Sequence, residues 1–237
     1  MTKLIRNAIF LAAATALSSP AFAADDFATQ EEIASKFDVA FGAALTSRYM
    51  SRGVDLSDGP AFQAYIEPSY GIFYAGVWLS TLDGNLGGVV PADDVEFDLY
   101  LGVRPEFGNL ALDLGYVRYL YDSSGDCCGE FYAKATYTFT EQFSAGGELY
   151  YDPDSEAVYG VAKAAVVLPY DVTLSGAVGT WLDDSSDDVD WNIGLSYTIN
   201  DTFTIDGRYH DSDNPANAGR FVASLSVDTS WSALRRK

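Results

Sequence analysis

Positive charge is scarce in this chain. It carries 14 lysines and arginines against 34 aspartates and glutamates, which gives a formal net charge of −20. Because contacts to nucleic-acid phosphates are made mainly by lysine and arginine, this balance argues against a nucleic-acid-binding protein. Aromatic residues make up 14% of the chain, which argues against a disordered acidic protein.

Histidine is scarcer still, because the sequence holds only His210. A hydrolase acting at a membrane rim would need a nucleophile, a base and an orienting group. The chain has no Gly-x-Ser-x-Gly sequence, and we expect His210 to be a surface residue at the start of a loop. The sequence therefore predicts a protein that is not an enzyme.

Cysteine is limited to the adjacent pair Cys127 and Cys128, which lies in a polar stretch. No Cys-x-x-Cys spacing or histidine-rich partner accompanies the pair, so we expect no zinc site. The two cysteines are either plain loop residues or a vicinal disulfide without a functional role. The acidic segments also lack the Asp-x-Asp-x-Asp-Gly order of a dedicated calcium loop, so we expect no metal site and no cofactor.

Long apolar runs are missing beyond the first residues. Lys3 and Arg6 precede an apolar segment at residues 9–17, and Ala21-Phe22-Ala23 supplies a small-x-small cleavage site. This order predicts a signal peptide over residues 1–23, cleaved near Ala23, and then a polar leader over residues 24–36. No later run approaches the roughly 18 apolar residues of a transmembrane helix, so the chain would have to cross a membrane with strands.

What the chain does contain is strict alternation, seen best at residues 94–121. Val95, Phe97, Leu99, Leu101 and Val103 alternate with polar residues and glycine, and after a turn at Gly108-Asn109 the alternation resumes to Tyr121. Side chains of a strand point to opposite faces at every second residue. The segment therefore predicts two long antiparallel strands with one apolar and one polar face.

The same hairpin recurs along the chain. About twelve segments, each of roughly ten residues, alternate in this way, and their connections are short and long in turn. A soluble β-sandwich would also place aromatic residues near strand ends, but it does not explain this loop asymmetry behind a signal peptide. The pattern predicts an all-β fold: an up-and-down, transmembrane antiparallel β-barrel of the bacterial outer membrane, over residues 37–231. Residues 232–237 would form a short basic tail.

Several stretches resemble the TorF family of porins. They are Ala44-Leu45-Thr46-Ser47-Arg48-Tyr49, Ser51-Arg52-Gly53-Val54, Phe73-Tyr74-Ala75-Gly76-Val77-Trp78, Glu96-Phe97-Asp98-Leu99-Tyr100-Leu101-Gly102 and Leu149-Tyr150-Tyr151-Asp152-Pro153-Asp154. The first three are the more specific ones. The resemblance implies an outer-membrane β-barrel channel, and it brings no particular solute with it.

The alternation also predicts which side chains line the lumen, because charged residues are costly on a face that meets lipid. The predicted lining includes Asp38, Arg48, Glu67, Glu96, Asp98, Arg104, Asp113, Lys134, Glu148, Lys163, Asp190, Asn192, Asp206, Arg208 and Arg220. Counting residues back from the short turns places Arg104 opposite Asp113, and Lys134 opposite Glu148. Such pairs could line a pore that selects solutes, or they could be internal ion pairs that close it.

The sequence thus favours a porin-like channel for passive diffusion of ions or small polar solutes. The acidic loops would bias it towards cations by raising their local concentration. The alternative is a closed structural or adhesion barrel whose acidic outer loops bind divalent cations, lipopolysaccharide or a partner protein. Expected partners are outer-membrane lipid, lipopolysaccharide and, during biogenesis, the barrel-assembly machinery, with both chain ends in the periplasm. The oligomeric state is left open.

Overall fold

A computed structural model describes residues 37–82, 93–183, 186–214, 217 and 219–235 of the chain. The signal peptide and the leader predicted for residues 1–36 lie outside the described residues, as does the end of the basic tail. No helix in the described part of the chain has the length and apolar character needed to cross a membrane.

The described residues form fifteen strands and two short helical turns. The strands are β1 (Phe37–Thr46), β2 (Met50–Ser51), β3 (Val54–Asp55), β4 (Ala61–Tyr70), β5 (Phe73–Thr81), β6 (Val95–Val103), β7 (Glu106–Phe107), β8 (Leu110–Tyr121), β9 (Gly125–Thr138), β10 (Phe143–Tyr151), β11 (Val158–Val167), β12 (Val172–Trp181), β13 (Val189–Ile199), β14 (Phe203–Ser212) and β15 (Arg220–Ser230). A 3-10 turn covers Pro169–Asp171, and helix α1 covers Trp231–Arg235.

The long strands close into a twelve-stranded antiparallel barrel. Each long strand pairs with the next along the chain, and β1 pairs with β15 to complete the ring. The two-residue strand β7 pairs with β8 just after the end of β6, and β2 pairs with β3 in a separate small hairpin. The predicted fold class is therefore confirmed.

The alternation of the sequence becomes two different surfaces of the barrel. In β6, Leu99 and Leu101 are 47% and 57% exposed on the outside, whereas Asp98 and Tyr100 are 0% and 5% exposed on the inside. Large apolar side chains cover the outer surface on all sides, among them Phe37, Ile66, Phe73, Phe131, Leu149, Ile193, Leu195, Ile205 and Phe221. An apolar belt of this extent is the surface that a barrel turns to hydrocarbon.

The connections differ between the two rims. Residues 71–72, 139–142, 168–171 and 200–202 form tight turns at one end, which we call the short-turn rim. The connections at the other end, the long-loop rim, include residues 47–60 and 213–219. One connection at this rim is only three residues long, because β8 ends at Tyr121 and β9 begins at Gly125, and the β8–β9 hairpin forms a paired extension there.

The two cysteines lie in this extension. Cys127 and Cys128 form a vicinal disulfide. The strand register slips between Tyr119 and Leu120, because Tyr119 pairs with Cys128 while Leu120 pairs with Asp126. Cys127 is thus the extra residue of a β-bulge, and the disulfide sits at that bulge. Of the two possibilities left by the sequence, the structure contains the disulfide.

The last strand ends one residue earlier than predicted. β15 stops at Ser230, and Trp231 starts helix α1 instead of continuing the strand. Asp38, at the start of β1, accepts hydrogen bonds from the backbone N–H of Ser232 at 2.9 Å and from its Oγ at 2.6 Å. These bonds satisfy the first turn of the helix and hold it across the short-turn rim.

Candidate functional site in the barrel lumen

Tyrosine rings fill one side of the lumen. Each lies against a glycine of a neighbouring strand, where a side chain on that glycine would collide with the ring: Tyr65 on Gly42, Tyr100 on Gly76, Tyr74 on Gly102 and Tyr132 on Gly115. The absence of a Cβ therefore lets the rings lie close to the wall. Together with Trp78 and Val117 they form a buried cluster along β4, β5, β6, β8 and β9.

An ion-pair network crosses the lumen below this cluster, towards the short-turn rim. The Arg104 guanidinium donates two hydrogen bonds to the Glu67 carboxylate, one of them at 2.9 Å, and a third to Asp113 at 3.3 Å. The guanidinium also lies 3.6 Å from the ring centre of Tyr74, whose hydroxyl bonds Asp113. The predicted proximity of Arg104 and Asp113 is present, but Glu67 is the main partner of Arg104.

Residues 47–60, which we call the inner loop, fold into the barrel from the long-loop rim. Tyr49 is buried against Trp78, with ring centres 5.5 Å apart. The loop is closed by a backbone bond from Leu56 N–H to the Tyr49 carbonyl and by a bond from Tyr49 N–H to Ser57 Oγ, at 2.7 and 2.8 Å. These bonds satisfy the loop's polar backbone within the barrel, where water is limited.

The β2–β3 hairpin forms the tip of the inner loop. Arg52 and Gly53 have φ angles of 48° and 77°, so both central residues of the turn are left-handed, as a type I′ hairpin turn requires. Gly53 approaches the wall so closely that a Cβ there would lie 2.9 Å from the Cβ of Asp190 on β13. The hairpin therefore reaches across the lumen.

Arg52 fixes this tip to the opposite wall. Its Nη1 and Nη2 atoms donate to the two carboxylate oxygens of Glu130 on β9, at 2.8 and 2.7 Å. Its guanidinium carbon also lies 4.6 Å from the ring centre of Tyr159 and 5.2 Å from that of Trp181. The hydroxyl of Tyr119 donates to the same carboxylate at 2.7 Å. A planar guanidinium with a bidentate carboxylate and aromatic faces is a strongly oriented contact.

A second, more exposed set of charged residues lies where the inner loop meets the long-loop rim. Arg48 pairs with Asp55 and, at 3.0 Å, with Asp58, and these hydrogen bonds, led by that to Asp58, raise the pKa of Arg48 above its usual value. Arg220 lies 3.8 Å from Asp55 at the same rim. Arg48 and Arg220 are therefore rim residues, whereas the sequence places them along the wall.

A cavity remains between the inner loop and the wall formed by β9–β14. It encloses about 830 Å³ of empty space, part of it open to solvent, and Met50, Arg52 and Gly53 form its inner-loop side. Its wall is built from small residues, including Thr136, Ser144, Gly146, Ala165, Ser175, Ala177 and Gly179. These small side chains leave space on this side of the lumen, whereas tyrosine rings fill the other side.

Charged groups in this cavity are held by neighbours. Lys163 bonds Glu148 at 2.5 Å, and the hydroxyl of Tyr150 donates to the same carboxylate at 2.6 Å. Arg208 donates to Asn192 at 2.7 Å, and it also bonds Ser175 and Asp206 at 2.9 and 3.1 Å. These contacts fix the orientation of the polar groups that line the space.

Lys134 differs from the predicted pairing. The strand register does place it opposite Glu148, as the turn count predicts, but Lys163 takes the ion pair with that carboxylate. The Lys134 ammonium instead lies 4.7 Å from the ring centre of Tyr132 and 5.6 Å from that of Tyr150. The strand register therefore predicts which residues face each other, but the ion pair itself depends on Lys163 and on the rings that surround Lys134.

The remaining predicted residues have these positions. Glu96 and Asp98 are buried on the inner face of β6, and Asp206 is buried beside Arg208. Asp190 lines the cavity and accepts a hydrogen bond from the hydroxyl of Tyr159 at 2.5 Å. Asp38 lies at the short-turn rim. Acidic side chains outnumber basic ones on the inner face.

Sequence reasoning missed Arg52, Glu130 and the position of His210. The sequence around Arg52 indicates a surface loop, and the sequence around Glu130 indicates the start of a strand. The two residues that form the contact are 78 positions apart in the sequence. The one available signal is the set of apolar residues within this loop, which are Tyr49, Met50, Val54 and Leu56. His210 is predicted at the surface, but it belongs to β14 and lines the cavity.

A closed barrel with an apolar outside and a polar inside is the architecture of outer-membrane-type β-barrels. The chain belongs to the family described as "Bacterial protein of unknown function (Gcw_chp)", whose model matches residues 30–236. None of the curated proteins matches it. The TorF assignment itself stays a prediction, while the porin-like fold that it implies is confirmed.

Solved porin structures are similar in fold. A structure described as "KdgM porin" has a TM-score of 0.56 and 10% sequence identity, and the match covers 81% of this chain and 97% of that one. "KdgM porin in complex with disordered oligogalacturonate" has a TM-score of 0.53 and 9% identity, with the same coverage. A NanC porin has a TM-score of 0.50 and 13% identity, covering 81% and 98% of the two chains. At these identities the similarity concerns the fold.

Proposed function

We propose that this protein is an outer-membrane porin-like channel for passive diffusion of ions or small polar solutes, with a preference for cations. The observation that carries the proposal is the cavity between the inner loop and the small-residue wall of β9–β14. A barrel built only for structure would gain stability by filling that space with large side chains. The acidic loops support the cation preference, because they raise the local concentration of cations at the entrance.

The location follows from the same proposal. The apolar belt suits a lipid bilayer, and the predicted signal peptide suits export, so the barrel is assigned to the outer membrane with the short-turn rim and both chain ends in the periplasm. Lipid and lipopolysaccharide would then contact the belt, and the barrel-assembly machinery would insert it. We propose no catalytic role for the channel, because the sequence holds a single histidine and no Gly-x-Ser-x-Gly nucleophile motif.

Reconstitution in planar bilayers tests the channel. We expect discrete conductance steps, and in asymmetric potassium chloride we expect a reversal potential of the sign that cation preference gives. A barrel that inserts but conducts at no salt concentration would overturn the channel. A reversal potential of the opposite sign would overturn the cation preference and favour acidic solutes, such as the oligogalacturonate present with the KdgM porin.

A closed structural or adhesion barrel is the second candidate, and the inner loop is what favours it. Arg52 ties that loop to Glu130 across the lumen, and tyrosine rings fill the other half. In this case the acidic outer loops would bind divalent cations, lipopolysaccharide or a partner protein. Liposome swelling separates the two candidates, because a closed barrel gives no swelling with any solute, whereas a channel admits the small ones.

A further inference from the structure

Two buried carboxyl groups stand next to each other on the inner face of β6. Glu96 and Asp98 are two residues apart on one strand, so their side chains point the same way, and they are 3% and 0% exposed. The two carboxyl groups contact each other, and Glu96 also contacts Tyr49 of the inner loop. The pair therefore lies next to Tyr49, near the start of the inner loop.

Three oxygens of this pair have no hydrogen-bond donor. Among the described residues, Oε2 of Glu96 and both Oδ1 and Oδ2 of Asp98 are buried without a partner. Buried polar atoms are normally satisfied, and a buried charge without a counter-charge is strongly unfavourable. Three acceptor oxygens at one buried place therefore call for a proton or a cation between them.

The protein's own basic groups do not neutralise the pair. Arg52, the basic residue of the inner-loop tip, gives both of its terminal nitrogens to Glu130, and no ion pair to Glu96 or Asp98 occurs in the described ranges. Glu130 itself adds negative potential at Asp98. The positive charge that balances the pair therefore comes from the solvent, either as a proton or as a cation.

We propose that Glu96 and Asp98 bind a hard divalent cation, with calcium as the best fit. A single proton shared between the two carboxyl groups would still leave one negative charge buried, whereas a divalent ion matches both charges and can be coordinated by all three oxygens. No three histidine, cysteine, aspartate or glutamate side chains of the described chain form a metal cluster, so water and other oxygen atoms complete the shell. Calcium tolerates such an irregular shell better than magnesium does.

A cation bound at this site would restrict the motion of Tyr49 and of the start of the inner loop. Tyr49 packs on Trp78 and contacts Glu96, so a cation that fixes Glu96 also fixes the ring at the start of the loop. Two carboxylates with water make a weak site, and we expect half-saturation in roughly the 0.1–1 mM range of extracellular calcium modules. The inference is independent of whether the barrel conducts.

Terbium chloride provides the direct test on the full mature barrel in detergent micelles. Tyr49, Tyr119, Tyr121 and Trp78 surround the pair, so exciting these rings should sensitise emission from a terbium ion bound there. We expect emission that calcium chloride competes away and that Glu96→Gln/Asp98→Asn abolishes. The matched control is Asp152→Asn/Asp154→Asn, which removes the same charge from an exposed loop and should keep the emission.

Thermal unfolding of the wild-type barrel is the second readout, and it needs no variant. Calcium should raise the unfolding temperature and a chelator should lower it, since a ligand that binds only the folded state stabilises it. If the double variant fails to fold, Asp98→Asn alone should weaken the calcium shift. Emission that survives in a folded variant, or unfolding that is insensitive to calcium while the double variant is more stable than wild type, would overturn the site.

Discussion

Arg52 at the tip of the inner loop and Glu130 on β9 form a bidentate ion pair across the lumen, with N–O distances of 2.8 and 2.7 Å. Three barrel strands, β5, β6 and β8, separate β9 from β4, the strand that follows the inner loop. The contact therefore holds the inner loop inside the lumen, which would be wider without that loop.

Releasing this contact should widen the passage. Arg52→Asn removes the guanidinium but keeps a residue that tolerates the left-handed turn, so the hairpin itself should form. We expect larger and noisier single-channel conductance steps than in wild type. Arg118→Asn, which removes an arginine paired with Asp126 in the β8–β9 hairpin, is the control and should leave the step size nearly unchanged. An unaltered step size in Arg52→Asn would mean that the inner loop does not limit the passage.

The energy of the same contact can be measured by a double-mutant cycle. Arg52→Asn and Glu130→Gln should each destabilise the barrel, and the pair should lose less than the sum, with a coupling of about 1–3 kcal/mol. Urea-induced unfolding in lipid vesicles, followed by tryptophan fluorescence, measures the three free energies. Additive losses would show that the two side chains do not stabilise each other.

Glu67 should be one of the most sensitive positions for stability. It is 1% exposed and pairs with the Arg104 guanidinium, so Glu67→Gln removes a buried carboxylate charge from that cation, while Asp113 remains beside it. We expect a loss of roughly 3 kcal/mol in the free energy of unfolding, because breaking a buried ion pair leaves a charge uncompensated. Glu106→Gln, at an exposed position near the short-turn rim, should cost almost nothing in the same unfolding experiment.

The small-residue wall should tolerate bulk on one face only. Ala177 lines the cavity, and its neighbour Val178 points outward and is 50% exposed. Ala177→Trp should reduce conductance strongly by filling the passage, while Val178→Trp should leave it unchanged because the ring faces lipid. Equal conductance in the two variants would place the passage elsewhere in the barrel.

The long-loop rim should weaken in acid through Asp93. Burial opposes ionisation of this carboxyl, but a hydrogen bond from Ser124 Oγ and bonds from the backbone N–H groups of Ser124 and Ser123 outweigh it and lower the pKa of Asp93. A lowered pKa means that the stabilisation is present above the unfolded value of about 3.9 and is lost as the pH falls through the folded value. The difference in unfolding temperature between wild type and Asp93→Asn should therefore be present at neutral pH and vanish in strong acid; a constant difference would contradict this.

The barrel wall follows from local patterns in the amino-acid sequence. Alternation at residues such as Leu99 and Asp98 fixes which face is apolar, and a one-residue slip would turn every charge towards lipid, so the strands and their register follow from local pattern. The short turns fix the cross-strand neighbours as well, and Lys134 indeed lies opposite Glu148.

The filling of the lumen depends on tertiary contacts that local patterns do not specify. Local pattern alone does not place residues 47–60 inside the barrel, because Arg52 and Tyr49 hold that loop through Glu130 and Trp78, which are far away in sequence. The choice of Lys163 over Lys134 for Glu148, and of Glu67 for Arg104, also depends on side-chain reach in three dimensions. Periodicity encodes the wall of a barrel, whereas its lumen is set by contacts between distant residues.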